Sequence, residues 1–404
     1  MIRNLTVVKN NEGEIMNSNK ASLLNVLNAM FLIALVLLFS SCAPDSPSSS
    51  TKKDGGDEIV VGVMLPQTGL AAALGAQMKR GIDLAGEDST SKIKLIFEDD
   101  QCDAKAGATA AQKLVSVDNV DAILGPICTV AILSSASLIE ESKTPRITTG
   151  MVVQKVANAG DYHFSFLPEI KYQMKAIARY AKSKGIKSIA AIALNDDLGR
   201  ESIQELKSAV SGEDMELVAE EYFEKSETDY KTILSKLTNG NPSGNPIGTP
   251  SGSPDAMYML GYVPNMMSVV KQASELGINK PLLSWNLFQD RQVLGLGRLA
   301  EQVTYSFPED PRNLPGKTSF KQKYKDTYGE DPTLYAANAY DSYRILDSAI
   351  SECANDRECI KKRLYATKDY DGANGFITVD ERGVGQRSEV SIKTVRNGSF
   401  VLDS

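Results

Sequence analysis

Residues 59–85 read IVVGVMLPQTGLAAALGAQMKRGIDLA, and this stretch decides the fold. Its first seven residues are β-branched or apolar apart from one glycine, which is typical of a strand buried inside a parallel sheet. A short loop then leads into a run with helical composition. We therefore predict a strand over 59–65 and a helix over 72–85, the beginning of an α/β unit.

The same alternation of short apolar runs and longer amphipathic stretches continues to the C-terminus. We predict strands over 93–97, 122–124, 145–148, 188–194, 215–223, 256–260, 282–284, 376–379 and 390–396. We predict helices over 104–117, 130–141, 170–184, 200–210, 230–237, 266–276, 315–328, 334–351 and 359–366. A body over 58–404 exceeds the size at which one core usually divides, so the prediction is an α/β fold with two doubly wound, Rossmann-like lobes.

One segment interrupts this alternation. Residues 239–255 read NGNPSGNPIGTPSGSPD and contain almost nothing that could be buried. A stretch rich in Gly, Pro, Ser and Asn between a helix and a strand predicts a surface insert.

The N-terminal segment indicates export. An apolar run from Met30 to Phe39 stops at Ser40, Ser41 and Cys42, and it is far shorter than the roughly 20 residues that span a bilayer. We predict a signal peptide over 1–41, with Met16 as an alternative start, and lipid attachment at Cys42. Residues 42–57 would then form a flexible tether, because they are polar and rich in Pro and Ser. An uncleaved hydrophobic anchor is the alternative.

Composition excludes several classes of function. The chain has 44 basic and 51 acidic residues and no basic stripe interleaved with aromatics, so we expect no nucleic-acid partner. The chain has a single histidine, His163, and this count excludes most histidine-based metal sites and most pairs of a nucleophile with a histidine base. We expect a structural role for it, and neither a metal nor a cofactor in the protein.

Four cysteines remain after Cys42. A Cys102–Cys128 pair would join the ends of two neighbouring strands, and a Cys353–Cys359 pair would close a small loop near a helix end. An even number in an oxidising compartment favours two disulfides. Buried free thiols are the alternative.

Candidate binding residues lie in the loops that follow the strands, because ligands of open α/β sheets bind at the carboxyl ends of the strands. The first loop contains Thr68. The acidic run 98–103 invites a metal site, but Asp103 is placed to cap the next helix and no calcium-loop spacing is present. Thr129 could offer a hydroxyl and an N–H to a ligand, or act as a plain helix cap. Residues 146–152 would form the opposite lip of the crevice.

The segments IVVGVMLPQTGLAAALGAQMKRGIDLA, IFEDDQCDAKAGATAAQKL, AILGPICT and MYMLGYVPNM resemble the periplasmic solute-binding proteins of the leucine-isoleucine-valine type. The combination of EDDQCD with GPICT is the most specific part, and it carries that family's disulfide at Cys102 and Cys128. The resemblance implies a type I periplasmic binding protein, two lobes joined by a multi-strand hinge. It implies a first lobe over 58–166 and 290–375 and a second lobe over 167–289 and 376–404.

The resemblance also implies ligand contacts. In amino-acid-binding members, the positions that match Thr129 and Val152 hold the ligand carboxylate. Gly150 and Met151, in the opposite lip, are further candidate ligand contacts. Tyr262 matches a tyrosine that contacts the ligand, and Asn286 stands where an acidic residue receives the ammonium group. Leu74 and Leu198 stand where aromatic residues are common. The departures at Val152 and Asn286 favour an amide, a hydroxylated compound or a carboxylate without an amine, unless Asp196 or Asp197 receives an amine. Trp285 could stack on the ligand or fill the lobe edge.

These observations predict an extracytoplasmic solute-binding lipoprotein, in the periplasm or at the cell surface. It would capture a small polar solute and deliver it to the permease of an ABC importer. We expect a monomer without enzymatic activity. A ligand-sensing receptor domain of the same fold is one alternative. A secreted hydrolase using Ser134, Ser135 or Lys155 is another, but neither a GxSxG elbow nor an SxxK arrangement supports it.

Overall fold

A computed structural model describes residues 58–89, 91–239, 253–309, 312, 314–386 and 389–403. The predicted signal peptide, Cys42, the tether and most of the predicted insert lie outside these residues. None of the described helices combines the length and the apolar character needed to cross a bilayer.

The first sheet has five parallel strands in the order β2-β1-β3-β4-β5. Its strands are β1 Ile59–Leu65, β2 Ile93–Asp99, β3 Ala122–Leu124, β4 Arg146–Thr148 and β5 His163–Ser165. The last five residues of β1 and all of β3 are buried, as expected for strands covered by helices on both faces.

The helices around the first sheet are α1 Ala72–Gly86, α2 Ala104–Ser116, α3 Thr129–Ser134, α4 Ala136–Ser142, α5 Gln154–Ala157, α10 Pro315–Tyr328, α11 Leu334–Cys353 and α12 Arg357–Tyr365. The long helix α11 packs against α1. This contact requires Gly81, because a Cβ at that position would lie 2.1 Å from the Ala336 carbonyl oxygen. A single helix was predicted over 130–141, but the helix breaks at Ser135, whose hydroxyl donates to the Ala131 carbonyl.

The second sheet has seven strands in the order β15-β14-β10-β9-β8-β6-β7. Its strands are β6 Ser188–Leu194, β7 Glu216–Phe223, β8 Ala256–Leu260, β9 Leu282–Ser284, β10 Val303–Phe307, β14 Ser391–Arg396 and β15 Ser399–Leu402. The central strands are parallel, and β14 and β15 are antiparallel. The flanking helices are α6 Ile170–Ser183, α7 Asp197–Ser211, α8 Lys231–Asn239 and α9 Val263–Glu275, with 3₁₀ segments at Asn286–Phe288 and Arg291–Gln302.

The predicted α/β class with two sheet-based lobes is confirmed, but the expected lobe boundaries differ from the strand pairing in two places. Residues 290–309 were assigned to the first lobe, yet β10 lies between β9 and β14 of the second sheet. Residues 376–386 were assigned to the second lobe. They contribute instead to a separate three-stranded sheet of β11 Tyr370–Gly372, β12 Gly375–Val379 and β13 Gly385–Gln386.

Both differences have the same physical cause. Neither β10 nor β5, the strand that the small sheet joins, was predicted from the sequence. A run of three to five residues becomes a strand only by pairing with distant residues. The small sheet attaches to the end of the first sheet through a bridge between Ser165 and Val384. Local patterns carry no information on either contact.

Candidate functional site

A small cavity lies where the carboxyl ends of both sheets meet. Its lining comes from the loops after β3, β4, β6, β8 and β9 and from the first turns of α1 and α11. The lining residues are Leu74, Ile127, Cys128, Thr129, Met151, Leu194, Asp196, Leu198, Leu260, Gly261, Tyr262, Trp285, Leu287 and Tyr335. Parallel strands present their loops at this edge, which explains why both lobes contribute to one site.

The cavity is narrow in this arrangement of the lobes. Its volume is about 30 Å³, which is room for one or two water molecules. A larger solute would therefore enter only when the two lobes move apart.

The lining is mostly apolar with a few polar groups. The polar side chains that reach the cavity are Thr129, Asp196, Tyr262, Tyr335 and Trp285. The Trp285 indole already donates to the Gly261 carbonyl oxygen at 3.2 Å. An apolar cavity with a small number of placed polar groups is typical of sites for small molecules.

Five of the predicted site residues line this cavity, namely Leu74, Thr129, Met151, Leu198 and Tyr262. Thr129 is the first residue of α3, and Cys128 occupies the N-cap position. In the described part of the chain the Thr129 hydroxyl has no hydrogen-bond partner, so it is available to a ligand. The alternative role of a plain helix cap does not apply to Thr129.

The other four predicted residues do not line the cavity. Thr68 is exposed, and its hydroxyl donates to Asp99 at 2.6 Å. Gly150 is buried against the neighbouring loop, where a Cβ would lie 1.9 Å from the Ile127 carbonyl oxygen. Val152 is fully buried.

Asn286 is the fourth of these residues, and its side chain is already paired. Its Oδ1 accepts a hydrogen bond from Gln173 at 3.0 Å, and its Nδ2 donates to the Tyr335 hydroxyl at 2.9 Å. Asn286 therefore does not line the cavity in this arrangement of the lobes, and its contact with a ligand stays a prediction. Tyr335, which hydrogen-bonds to Asn286, lines the cavity instead. It was not among the predicted site residues, because it belongs to the first turn of α11, in the other lobe.

Asp196 is the charged residue of the lining. Burial raises the pKa of this carboxyl to about 6, and the neighbouring Asp197 adds to the shift. The Gly199 N–H, which donates to Asp196 at 2.8 Å, acts in the opposite direction. Asp196 therefore both caps α7 and places a carboxylate at the wall of the cavity.

Tyr262 connects the two lobes at the cavity. Its hydroxyl lies 3.9 Å from the Cys128 sulfur, and burial raises its pKa well above the usual range. The Lys225 ammonium lies 5.8 Å from the centre of the Tyr262 ring. The same ammonium donates to the carbonyl oxygens of Cys102 at 2.9 Å and Gln101 at 3.3 Å.

The acidic run near the cavity has structural roles. Asp103 caps α2 by accepting from the N–H groups of Lys105 and Ala106. Asp100 is fully buried, accepts from the Cys102 N–H at 2.8 Å, and leaves its Oδ2 without a partner in the described structure. Burial raises the pKa of Asp100 to about 6. No metal-binding group of His, Cys, Asp and Glu occurs among the described residues.

Both predicted disulfides are present. Cys102 and Cys128 have Cα atoms 5.2 Å apart, and Cys353 and Cys359 have Cα atoms 5.5 Å apart. The first disulfide joins the loop after β2 to the residue that precedes Thr129. It therefore holds the backbone beside the cavity.

Comparisons with known proteins agree with this architecture. A family model described as periplasmic binding protein matches residues 58–391. An amino acid binding protein of Pseudomonas aeruginosa is 24% identical, with 74% of this chain and 80% of that protein covered. A leucine-, isoleucine-, valine-, threonine- and alanine-binding protein of the same organism is 22% identical, with 81% and 87% covered.

Solved structures give the same result. A leucine binding protein from Thermotoga maritima aligns with a TM-score of 0.78 and 25% identity, covering 86% of this chain and 98% of that one. A solute binding protein from R. palustris in complex with benzoate aligns with a TM-score of 0.77 and 15% identity, covering 86% and 95%. All four are named as binding proteins, and the R. palustris protein is the solute binding protein of an ABC transporter. Because the family model matches most of the chain, the protein belongs to the periplasmic binding protein family.

Proposed function

We propose that this protein is an extracytoplasmic solute-binding lipoprotein that captures a small amphipathic solute and delivers it to an ABC importer. The observation that carries the proposal is the cavity, to which the strand ends of both sheets contribute residues. A solute held there would contact Thr129 from one lobe and Tyr262 from the other. Binding would therefore favour the arrangement in which the lobes are together, since a ligand shifts a conformational balance only through its preference for one state.

The lining favours a solute with an apolar body and at least one polar end. Six aliphatic side chains contribute to the walls, namely Leu74, Ile127, Leu194, Leu198, Leu260 and Leu287. The relatives are named for branched-chain amino acids and, in one case, bind benzoate. An amino acid or an aromatic or aliphatic carboxylate fits this lining better than a sugar, because a sugar has no large apolar surface to bury.

Native mass spectrometry of the freshly purified protein tests whether it carries a solute. We expect a co-purified small molecule, or an increase in melting temperature with L-leucine, L-isoleucine, benzoate or 4-hydroxybenzoate. Thr129→Val combined with Tyr262→Ala should abolish that stabilisation and leave the unliganded protein folded. Thr68→Val is the matched control, because Thr68 lies outside the cavity. Unchanged stabilisation in the double variant would remove both residues from the site.

The lipid anchor rests on the sequence around Cys42. Acylation of this residue would hold the protein at a membrane surface, because more than one fatty chain gives stable anchoring. Cys42→Ala should release the protein from the membrane fraction of the expressing cells. Retention of the variant in that fraction would contradict the anchor.

A further inference from the structure

Four buried polar side chains form a continuous chain of hydrogen bonds that ends at the cavity. The Ser306 hydroxyl donates to Gln173 Oε1 at 2.9 Å, and Gln173 Nε2 donates to Asn286 Oδ1 at 3.0 Å. Asn286 Nδ2 then donates to the Tyr335 hydroxyl oxygen at 2.9 Å. Each of the four side chains is at least nine-tenths buried. Only Tyr335 lines the cavity.

The direction of this chain follows from Met151. Its sulfur lies 3.6 Å from Gln173 Nε2 and can only accept a hydrogen bond. The amide nitrogen of Gln173 therefore faces Met151 and Asn286, and its oxygen faces Ser306. Asn286 must then present Oδ1 to Gln173 and Nδ2 to Tyr335. The hydroxyl oxygen of Tyr335 accepts in this chain, so its own hydrogen is not used there.

We propose that this chain presents the Tyr335 hydroxyl as a hydrogen-bond donor to a carboxylate of the solute, and that Asn286 is a positioning residue. This inference rests on the proposed solute-binding function and names the group that the site recognises. Burial keeps Tyr335 protonated, because it raises the pKa of the phenol. Thr129 lines the same cavity with a free hydroxyl. Both hydroxyls are therefore donors in this cavity, and the charged side chain among its lining residues is Asp196.

Replacing Asn286 with aspartate separates this role from simple packing. An ionised aspartate side chain at this position has two acceptor oxygens and no donor. It would still accept a hydrogen bond from Gln173, but it would also accept the hydrogen bond that the Tyr335 hydroxyl donates. The Tyr335 oxygen would then offer only lone pairs to the cavity, and a carboxylate would lose its donor.

Three probes of matched shape identify the group that is recognised. L-Leucine carries both a carboxylate and an amine, 4-methylvalerate carries only the carboxylate, and 3-methylbutylamine carries only the amine. We expect calorimetric titration to show binding of the two carboxylates at least about tenfold tighter than binding of the amine. Hydrogen bonds to a charged group are of this strength.

The variants for this titration are Tyr335→Phe, Asn286→Asp and the double variant. Each single substitution should weaken both carboxylate probes about tenfold. In the Tyr335→Phe background, Asn286→Asp should have a clearly smaller effect, because the donor that it removes is already absent. Repulsion by the new charge alone would instead give additive losses.

Two control substitutions repeat the chemistry at residues that do not line the cavity. Asn265 Nδ2 donates to the Tyr230 hydroxyl at 2.9 Å in a second buried pair, so Asn265→Asp is the matched control for Asn286→Asp. Tyr340→Phe removes a hydroxyl from the same helix as Tyr335. Both controls should leave the affinity within about twofold of the parent protein.

Several outcomes would overturn the inference. They are unchanged affinity in Tyr335→Phe, additive losses in the double variant, and preference for the amine probe. Failure of all three probes to bind would also reject the carboxylate. None of these results decides the proposed solute-binding function, which depends on the molecule that co-purifies with the protein.

Discussion

The lobes touch each other both at the mouth of the cleft and in its interior, and the two sets of contacts differ in chemistry. The mouth is here the exposed edge of the contact between the lobes, where Lys155 and Asp197 form an ion pair at 2.6 Å, with side chains that are 69% and 36% exposed. In the interior, Asn286 and Tyr335 form a neutral hydrogen bond, with side chains that are 3% and 5% exposed.

Exposure decides what each contact contributes. The ion pair at the mouth can exchange its partners for water and salt, and exposed pairs of this kind contribute little to stability. A buried hydrogen bond has no such substitute, and removing one partner leaves the other unsatisfied. We therefore expect the interior contacts, rather than the visible charges at the mouth, to hold the lobes together.

The largest effect should come from the interior. Asn286→Leu would leave Gln173 Nε2 without its oxygen acceptor and the Tyr335 oxygen without its donor. We expect the free energy of unfolding to fall by at least about 2 kcal/mol, because two buried groups lose a partner and each such loss costs about 1–3 kcal/mol. Urea denaturation of the unliganded protein measures this change. If Asn286→Leu lowers the free energy of unfolding no more than Lys155→Met does, the interior and the mouth do not differ in the way proposed.

A medium effect should come from Asp100, which is fully buried beside the contact between Cys102 and Lys225 of the other lobe. Its folded pKa of about 6 is above the usual value of 3.8, so ionisation opposes folding. This unfavourable contribution is complete above the folded pKa and disappears as the pH falls below the unfolded pKa. Asp100→Asn should therefore stabilise the protein by about 1–2 kcal/mol near pH 8, since an asparagine oxygen can still accept from Cys102.

The gain from Asp100→Asn should stay nearly constant between about pH 8 and about pH 6 and then shrink as the pH falls towards about 4, because the parent protein loses its buried charge below the folded pKa. Thermal or urea unfolding at several pH values checks this dependence. A gain that does not change with pH would mean that burial does not shift the pKa of this carboxyl. A larger change in stability for the buried Asp100 than for the exposed Lys155–Asp197 pair would show that burial sets the contribution of a charged group.

The smallest effect should come from the exposed ion pair. Lys155→Met should change the affinity for the bound solute by less than about twofold, because water replaces the lost partner. Any difference from the parent protein should vanish near 1 M salt, where exposed charges are screened. Titration calorimetry at low and high salt makes this measurement. A loss that persists at high salt would show that the mouth contributes more than its exposure suggests.

Part of the site was predictable and part was not. Thr129 and Tyr262 follow strands directly, and the carboxyl ends of parallel strands converge, so their place in the lining follows from local pattern. Asn286 also follows a strand, but its side chain is turned to Gln173, 113 residues earlier. Tyr335 comes from a helix of the other lobe, 49 residues after Asn286. No local signal marks either partner.

By itself, the sequence determined the alternation of strands and helices and the clustering of loops at one edge of each sheet. These features depend on side-chain periodicity and on backbone preferences over a few residues. Only the tertiary structure decided that Val303–Phe307 belongs to the second sheet and that Tyr335 instead of Asn286 reaches the cavity. Strand pairing and side-chain hydrogen bonds depend on which distant groups come within about 3 Å of each other, and packing of the whole chain sets those distances.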